Sequence, residues 1–129
     1  MSASDNAIVH RRMLDALLRG DVATLNDLFA ENVVWHLPGN SMVAGNHNGR
    51  AAVLDFLGRV MELTDGTFRL DLIDSAACDS GVFAWQRVTA QRQDKKLEEN
   101  EIIFFRMRDG RVVEVWHRPE QPALDEFFS

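Results

Sequence analysis

Phe104-Phe105-Arg106-Met107-Arg108-Asp109-Gly110-Arg111-Val112-Val113-Glu114-Val115-Trp116-His117 is the stretch on which the reading of this chain turns. Two β-rich runs flank an Asp-Gly pair, and that pair supplies the positive φ angles of a tight two-residue turn. The stretch therefore predicts an antiparallel hairpin. Its second strand ends in His117, where a sheet commonly opens into a pocket. Histidine's ordinary pKa, ~6.5, puts its proton in play near neutral pH.

Upstream of the hairpin the hydrophobic period stays at two. Phe68, Leu70 and Leu72 alternate with Arg69 and Asp71, as in a strand with one buried face. Strand-like runs follow at about 82–92, 97–108 and 111–117, with turn signals at Asp94-Lys95 and Asp109-Gly110. Before them the period is helical. Ala7, Leu14, Leu17 and Leu18 form a stripe from about Asp5 to Arg19, with Gly20 as a stop. Asp21 suits the cap of a second helix carrying Val22, Leu25, Leu28 and Phe29 on one side. An extended run, Val33–Leu37, ends at Pro38-Gly39, and Asn40–Gly49 reads as loop. A third helix starts near Arg50, with Val53, Leu54, Leu57, Val60 and Met61 at helical spacing. The order α-α-β-α-β-β-β-β predicts one α+β domain over residues 1–129, helices against one face of an antiparallel sheet, with residues 1–4 flexible.

Composition bounds the function. The chain has 129 residues, enough for one real core, and its formal net charge of −6 argues against a nucleic-acid partner. Its basic residues are scattered, with Lys95-Lys96 the sole lysine pair, expected at a hairpin tip. Cys78 is the single cysteine, so no internal disulfide forms, which fits a reducing cytoplasm. No run reaches transmembrane length and the polar N-terminus lacks a signal-peptide core, so no membrane partner is expected.

Four segments together resemble a known family. They are Leu18-Arg19-Gly20-Asp21; Leu28-Phe29-Ala30-Glu31-Asn32-Val33-Val34-Trp35; Gly45 through Gly49-Arg50 with its helix; and Arg108 through Val115-Trp116. In this order and spacing the chain resembles the nuclear transport factor 2-like superfamily, and most closely its SnoaL-like branch, over roughly residues 5 to 128. The resemblance implies a cone: a curved antiparallel sheet wrapped around the N-terminal helices, with a pocket inside. It includes ketosteroid isomerase, SnoaL-like polyketide cyclases, limonene epoxide hydrolase and scytalone dehydratase, and also non-catalytic binding and dimerisation modules. Fold alone therefore does not assign function.

Carried over residue by residue, the resemblance excludes some chemistry. The three acid/base positions of ketosteroid isomerases fall on Met13, Leu37 and Ile103, none of which donates or accepts a proton. Ketosteroid isomerase chemistry is therefore not expected. The paired aspartates of limonene epoxide hydrolase have no inward positions here. The acid/base residue of the cyclases falls near the Glu-x-Trp motif at His117, where an aspartate would be the more cyclase-like choice. The resemblance also implies that Val113, Val115 and His117 face the pocket while Val112, Glu114 and Trp116 face away.

Strand parity extends the candidate site. Glu99, Glu101, Ile103 and Phe105 share a face, as do Phe83, Trp85, Arg87 and Thr89. With cooperating register, Trp85, Arg87, Glu101 and His117 would converge with Trp35 and Leu37; a slip of one residue breaks the arrangement. The expected catalytic set is His117 as general acid/base, Glu101 orienting it and Arg87 holding a substrate carboxylate or enolate. Arg87 and Glu101 also read as a structural ion pair, the reading slightly favoured, and outward placement of both on a solvated or dimeric sheet face stays open. Met13, Leu17, Trp35, Leu37, Leu57, Met61, Trp85, Ile103 and Val115 are the expected pocket lining. His36 has the wrong parity for that pocket, His47 belongs to a loop that can line its mouth, and His10, beside Arg11-Arg12, is expected at the surface. No histidine pair has ligand spacing and Cys78 has no partner, so no metal site is expected, and no cofactor is expected either.

Trp116 pointing outward would need cover, and the resemblance implies a homodimer formed sheet to sheet, with Phe127 and Phe128 of the Pro122–Phe128 segment helping. Two functional readings stand. One is a cofactor-independent isomerase, dehydratase or cyclase using His117 on a small apolar molecule bearing a carbonyl or hydroxyl. The other is a non-catalytic small-molecule-binding or dimerisation module.

Overall fold

The computed structural model describes residues 2–120 and 123–129. Helix α1 (Ala3–Arg19) starts in a capping box: the Asp5 N–H donates to the Ser2 hydroxyl, and the Ser2 N–H donates back to the Asp5 carboxylate. The chain is thus helical from Ala3, and Met1 lies outside the described residues. Gly20 ends α1 in the left-handed conformation at φ 67. Asp21 caps α2 (Val22–Leu28) through the Thr24 N–H. Phe29 then turns extended, so it opens β1 (Phe29–Leu37) instead of closing the helix as expected.

The elements that follow are β2 (Gly45–Asn48), α3 (Arg50–Leu63), β3 (Arg69–Cys78), β4 (Gly81–Arg92), β5 (Lys95–Arg108), β6 (Arg111–Pro119) and α4 (Ala123–Phe127). Strand β2 lies inside the stretch expected as loop, paired antiparallel with β1 from Val34↔Asn48 to Leu37↔Gly45. Pairing gives the backbone groups on that side of β1 partners that a loop would have left to water. One sheet results, in the order β2-β1-β6-β5-β4-β3, antiparallel throughout except for the parallel pair β1–β6. It curves around the helices, α1 against β3 and β4 and α3 against β1 and β2, in an α+β fold.

At the β5–β6 hairpin, Asp109 and Gly110 take φ 53 and 77, the two positive values that a type I′ turn requires. Beside the turn the register slips: Arg106 faces Glu114 but Met107 faces Val112, which leaves Val113 as the extra residue of a bulge. The bulge reverses the expected parity there, and Val112, not Val113, is fully buried. Beyond the bulge, Val115 and His117 resume the inward face, opposite Phe105 and Ile103.

Strand β3 departs from its expected pattern as well. It is the edge strand, and a register shift between Leu72 and Asp74 turns the alternation, so that Leu72 and Ile73 both lie at the surface. At the other end of the chain, Phe127 and Phe128 are buried in the core cluster, not exposed to cover the outer face. Pro122, where the sequence placed the start of that segment, lies outside the described residues.

Candidate functional site

Between the helices and the concave face of the sheet lies a cavity of about 60 Å³. One water needs only ~10–15 Å³ by that measure, so the space suits something larger. Met13 and Leu17 of α1 and Leu57 and Met61 of α3 form one side. Trp35 and Leu37 of β1 and Ile103 of β5 form the other, with Val43, Leu124 and Phe128 from the loop after β1 and the C-terminal segment. The three positions aligned with ketosteroid isomerase acids and bases are thus all on the wall, and all apolar. Val115 is fully buried but packs in the core, off the cavity wall.

Set into this apolar wall is one polar cluster. Ile103 pairs directly with His117, and Glu101 lies two residues along the same face, directly opposite Gln86 of β4. Glu101 Oε2 stands 2.6 Å from His117 Nε2, with the two side chains only 2% and 11% exposed. The Trp35 indole N–H donates to His117 Nδ1 at 3.3 Å, and the Gln86 amide N–H donates to Glu101 Oε1 at 3.2 Å. Indole is a donor only, so His117 Nδ1 is an acceptor and the ring proton sits on Nε2, donated to Glu101. Each Glu101 oxygen therefore accepts one hydrogen bond, which offsets part of the cost of a buried carboxylate.

Arg87 and Trp85 are not part of this cluster. Val82, Ala84, Gln86, Val88 and Ala90 carry the buried face of β4, so the alternate set with Phe83, Trp85 and Arg87 points outward. Arg87 donates to Asn100 Oδ1 at 3.3 Å and Glu98 Oε2 at 3.2 Å on the outer face, and the expected Arg87–Glu101 pair does not form. The expected inward placement of Trp85 and Arg87 is thus reversed. Gln86 is the site residue that this reading missed. Small apolar residues flank it at every second position, but only the folded sheet turns that face inward and sets Gln86 opposite Glu101.

The remaining histidines divide between the two sides of the sheet. His36 sits on the outer face, its Nε2 2.6 Å from Glu114 Oε2 and its Nδ1 2.8 Å from Asn46 Oδ1. The Glu114 carboxylate, then Asn46, raise its pKa above the ordinary value. His47 stacks on Phe56 at 4.2 Å and its Nε2 lies 2.8 Å from the Val43 carbonyl, bracing the loop that reaches the cavity. His10, expected at the surface, is buried beneath the sheet with its ring 5.1 Å from Phe105. Burial, helped by the nearby Arg11 charge, lowers its pKa to about 4.

The outer face of the sheet carries a row of rings. Phe83 contacts Phe104 at 4.3 Å, Phe104 stacks on Trp116 at 5.9 Å, and Trp116 stacks on His36 at 5.6 Å. Trp85 and Ile102 widen the row, and Arg106 lies over Trp116 at 5.9 Å. No helix of the described residues is long and apolar enough to cross a membrane. Among those residues no three His, Cys, Asp or Glu side chains gather as a metal site.

Known proteins share this architecture. Bal32a, from a soil-derived mobile gene cassette, superimposes with a TM-score of 0.94 at 39% identity, over 98% of both chains. The uncharacterized protein Rv0034 of Mycobacterium tuberculosis is 34% identical over 92% of this chain and 91% of its own. IdmH of Streptomyces antibioticus, a candidate polyketide cyclase, superimposes with a TM-score of 0.76 over 92% of this chain and 94% of its own; at 19% identity that likeness speaks for the fold alone. The sequence profile of the SnoaL-like domain matches residues 10–115. The chain belongs to the SnoaL-like domain family.

Proposed function

We propose that the cavity binds a small apolar molecule and that His117 performs acid/base chemistry on it, as a cofactor-independent isomerase, dehydratase or cyclase. The observation that carries this is the buried 2.6 Å contact between His117 Nε2 and Glu101, set in an otherwise apolar wall. Holding the proton on Nε2 makes Nδ1 the basic atom. A substrate carbonyl that takes the Trp35 N–H for itself leaves the Nδ1 lone pair free beside its α-carbon. Nδ1 then takes the α-proton, the C–H electron pair becomes the enolate, and the Trp35 N–H faces the new oxyanion. The imidazolium keeps Nε2–H on Glu101, whose negative charge balances it. Returning the proton to another carbon gives isomerisation. Giving it to a departing hydroxyl gives dehydration, and attack of the carbanion on a second carbonyl of the substrate, with the imidazolium proton passed to the new alkoxide, gives cyclisation.

A second reading has its own observation. Both His117 ring nitrogens already have protein partners, as in a histidine that only braces a binding pocket. Proton exchange separates the two. Small enolisable ketones are incubated with the protein in D2O and their α-deuteration followed by NMR. Catalysis predicts exchange above the buffer rate, reduced by ~10²-fold or more in His117→Gln. Ketones that bind without faster exchange would establish the binding module instead. In either case we read the aromatic outer face as the contact of a homodimer, and the lone Cys78 as fitting a cytoplasmic protein.

A further inference from the structure

We propose that the molecule bound in this cavity carries a hydroxyl group that donates to Gln86 Oε1, an inference that rests on the cavity being a ligand site. Gln86 is 2% exposed, on the cavity wall, and directly opposite Glu101. Its amide orientation follows from its neighbour, because an ionised carboxylate only accepts and so draws the NH2 end of the amide. The carbonyl end is left over. Among the described residues Oε1 has no hydrogen-bond partner.

That orphan stands out once the hydrogen bonds of the cluster are followed to their ends. The Trp35 N–H is used on His117, both His117 nitrogens are used, and each Glu101 oxygen accepts a bond. Gln86 Oε1 is the acceptor of the set with no donor at all among the described residues. The other two buried orphans among the described residues, Asn6 Oδ1 and His10 Nε2, belong to residues off this cavity wall. A buried carbonyl without a donor is costly to the fold, and a ligand that supplies the donor recovers that cost on binding. A site built to pair with a ligand hydroxyl also discriminates strongly against analogues that lack it.

The donor is a neutral hydroxyl rather than an ammonium. Glu101 already shares its charge between two N–H groups, and bringing a strongly hydrated cation into an apolar cavity exacts a desolvation cost. The ligand class is therefore an uncharged apolar body, such as a ring, with a hydroxyl on the edge that meets β4. Its reactive carbonyl, where there is one, meets Trp35 and His117.

Phenol, toluene and anisole test this, since they share a ring and differ in donor: phenol has one, while toluene and anisole have none. Dissociation constants come from NMR titrations that follow the indole N–H resonance of Trp35, on the cavity wall, with benzylamine as the cationic comparison. Phenol is expected to bind at least about tenfold more tightly than toluene or anisole. Gln86→Met, which fills similar volume without an acceptor, is expected to bring phenol down to the level of toluene. Equal affinities in the wild-type protein would overturn the proposal without any variant. So would tighter binding of benzylamine than phenol, or a phenol preference that survives in Gln86→Met. If none of the four probes moves the Trp35 signal, the ligand-site reading itself fails and takes this inference with it.

Discussion

Trp35 on β1 donates its indole N–H to Nδ1 of His117 on β6, 3.3 Å away, and so decides which nitrogen of that histidine carries the proton. The parallel pairing of β1 with β6 makes this possible, because it sets Trp35 beside Val115, two residues before His117 on the same face. The 15N spectrum of the neutral ring is expected to show Nδ1 unprotonated and Nε2 protonated. The Nε2 proton, in a 2.6 Å bond to a carboxylate, should resonate far downfield and move upfield in Glu101→Gln. A proton on Nδ1 in the wild-type protein would contradict the assignment.

His10 makes the fold sensitive to acid. Its folded pKa lies near 4, against 6.5 for an unperturbed histidine, because of its burial and secondarily Arg11. Below pH 6.5 the unfolded chain takes up a proton that the folded protein refuses. The stabilisation is therefore fully present above that pH and is lost as the pH falls toward 4. At ~1.4 kcal/mol per pKa unit, the whole effect is on the order of 3 kcal/mol. His10→Phe should flatten the urea-unfolding stability between pH 5 and 6.5, the upper part of that window. An unchanged slope would mean that His10 is protonated in the folded state.

The ring row on the outer face predicts association. Trp116 is 40% exposed and Phe83 51%, at the centre of an apolar patch that water meets on an isolated chain. Trp116→Glu is expected to convert a dimer to a monomer in light scattering at micromolar concentration while leaving the far-UV CD spectrum unchanged. A wild-type protein that runs as a monomer at those concentrations would remove the sheet-to-sheet dimer.

Gly81 holds the start of β4 tightly against β5. A Cβ at this position would overlap the Phe105 carbonyl oxygen and come within 2.9 Å of its carbon, and both are backbone atoms that cannot rotate aside. Its φ of 154 is also poorly suited to other residues. Gly81→Ala should cost on the order of 2–3 kcal/mol, read as a fall in Tm of roughly ten degrees. A Tm within about two degrees of wild type would show that the strands part at little cost.

Local chemistry was legible wherever it acts over a few residues. Asp109-Gly110 announced its turn, and the alternation of β4 and β5 correctly sorted residues into two faces. Which of the two faces the helices was not legible for β4. Phe83 and Trp85 on one side outweigh Val82 and Ala84 on the other in bulk, and bulk is what a hydrophobicity pattern weighs. The same limit hid His10. Its charged neighbours Arg11 and Arg12 describe other faces of α1, and only the packing of that helix under β3 and β4 buries it.

The amino-acid order by itself determined the elements other than β2, the main hairpin, the family, and His117 and Glu101 as candidates. The tertiary structure alone decided that Gln86 completes their cluster, that Arg87 lies outside it, and that Trp35 sets the proton on His117. Faces and turns are set by residues close together in the chain. Inward parity and cross-strand register are set by contacts between residues far apart, where one step along a strand exchanges every side chain between cavity and solvent.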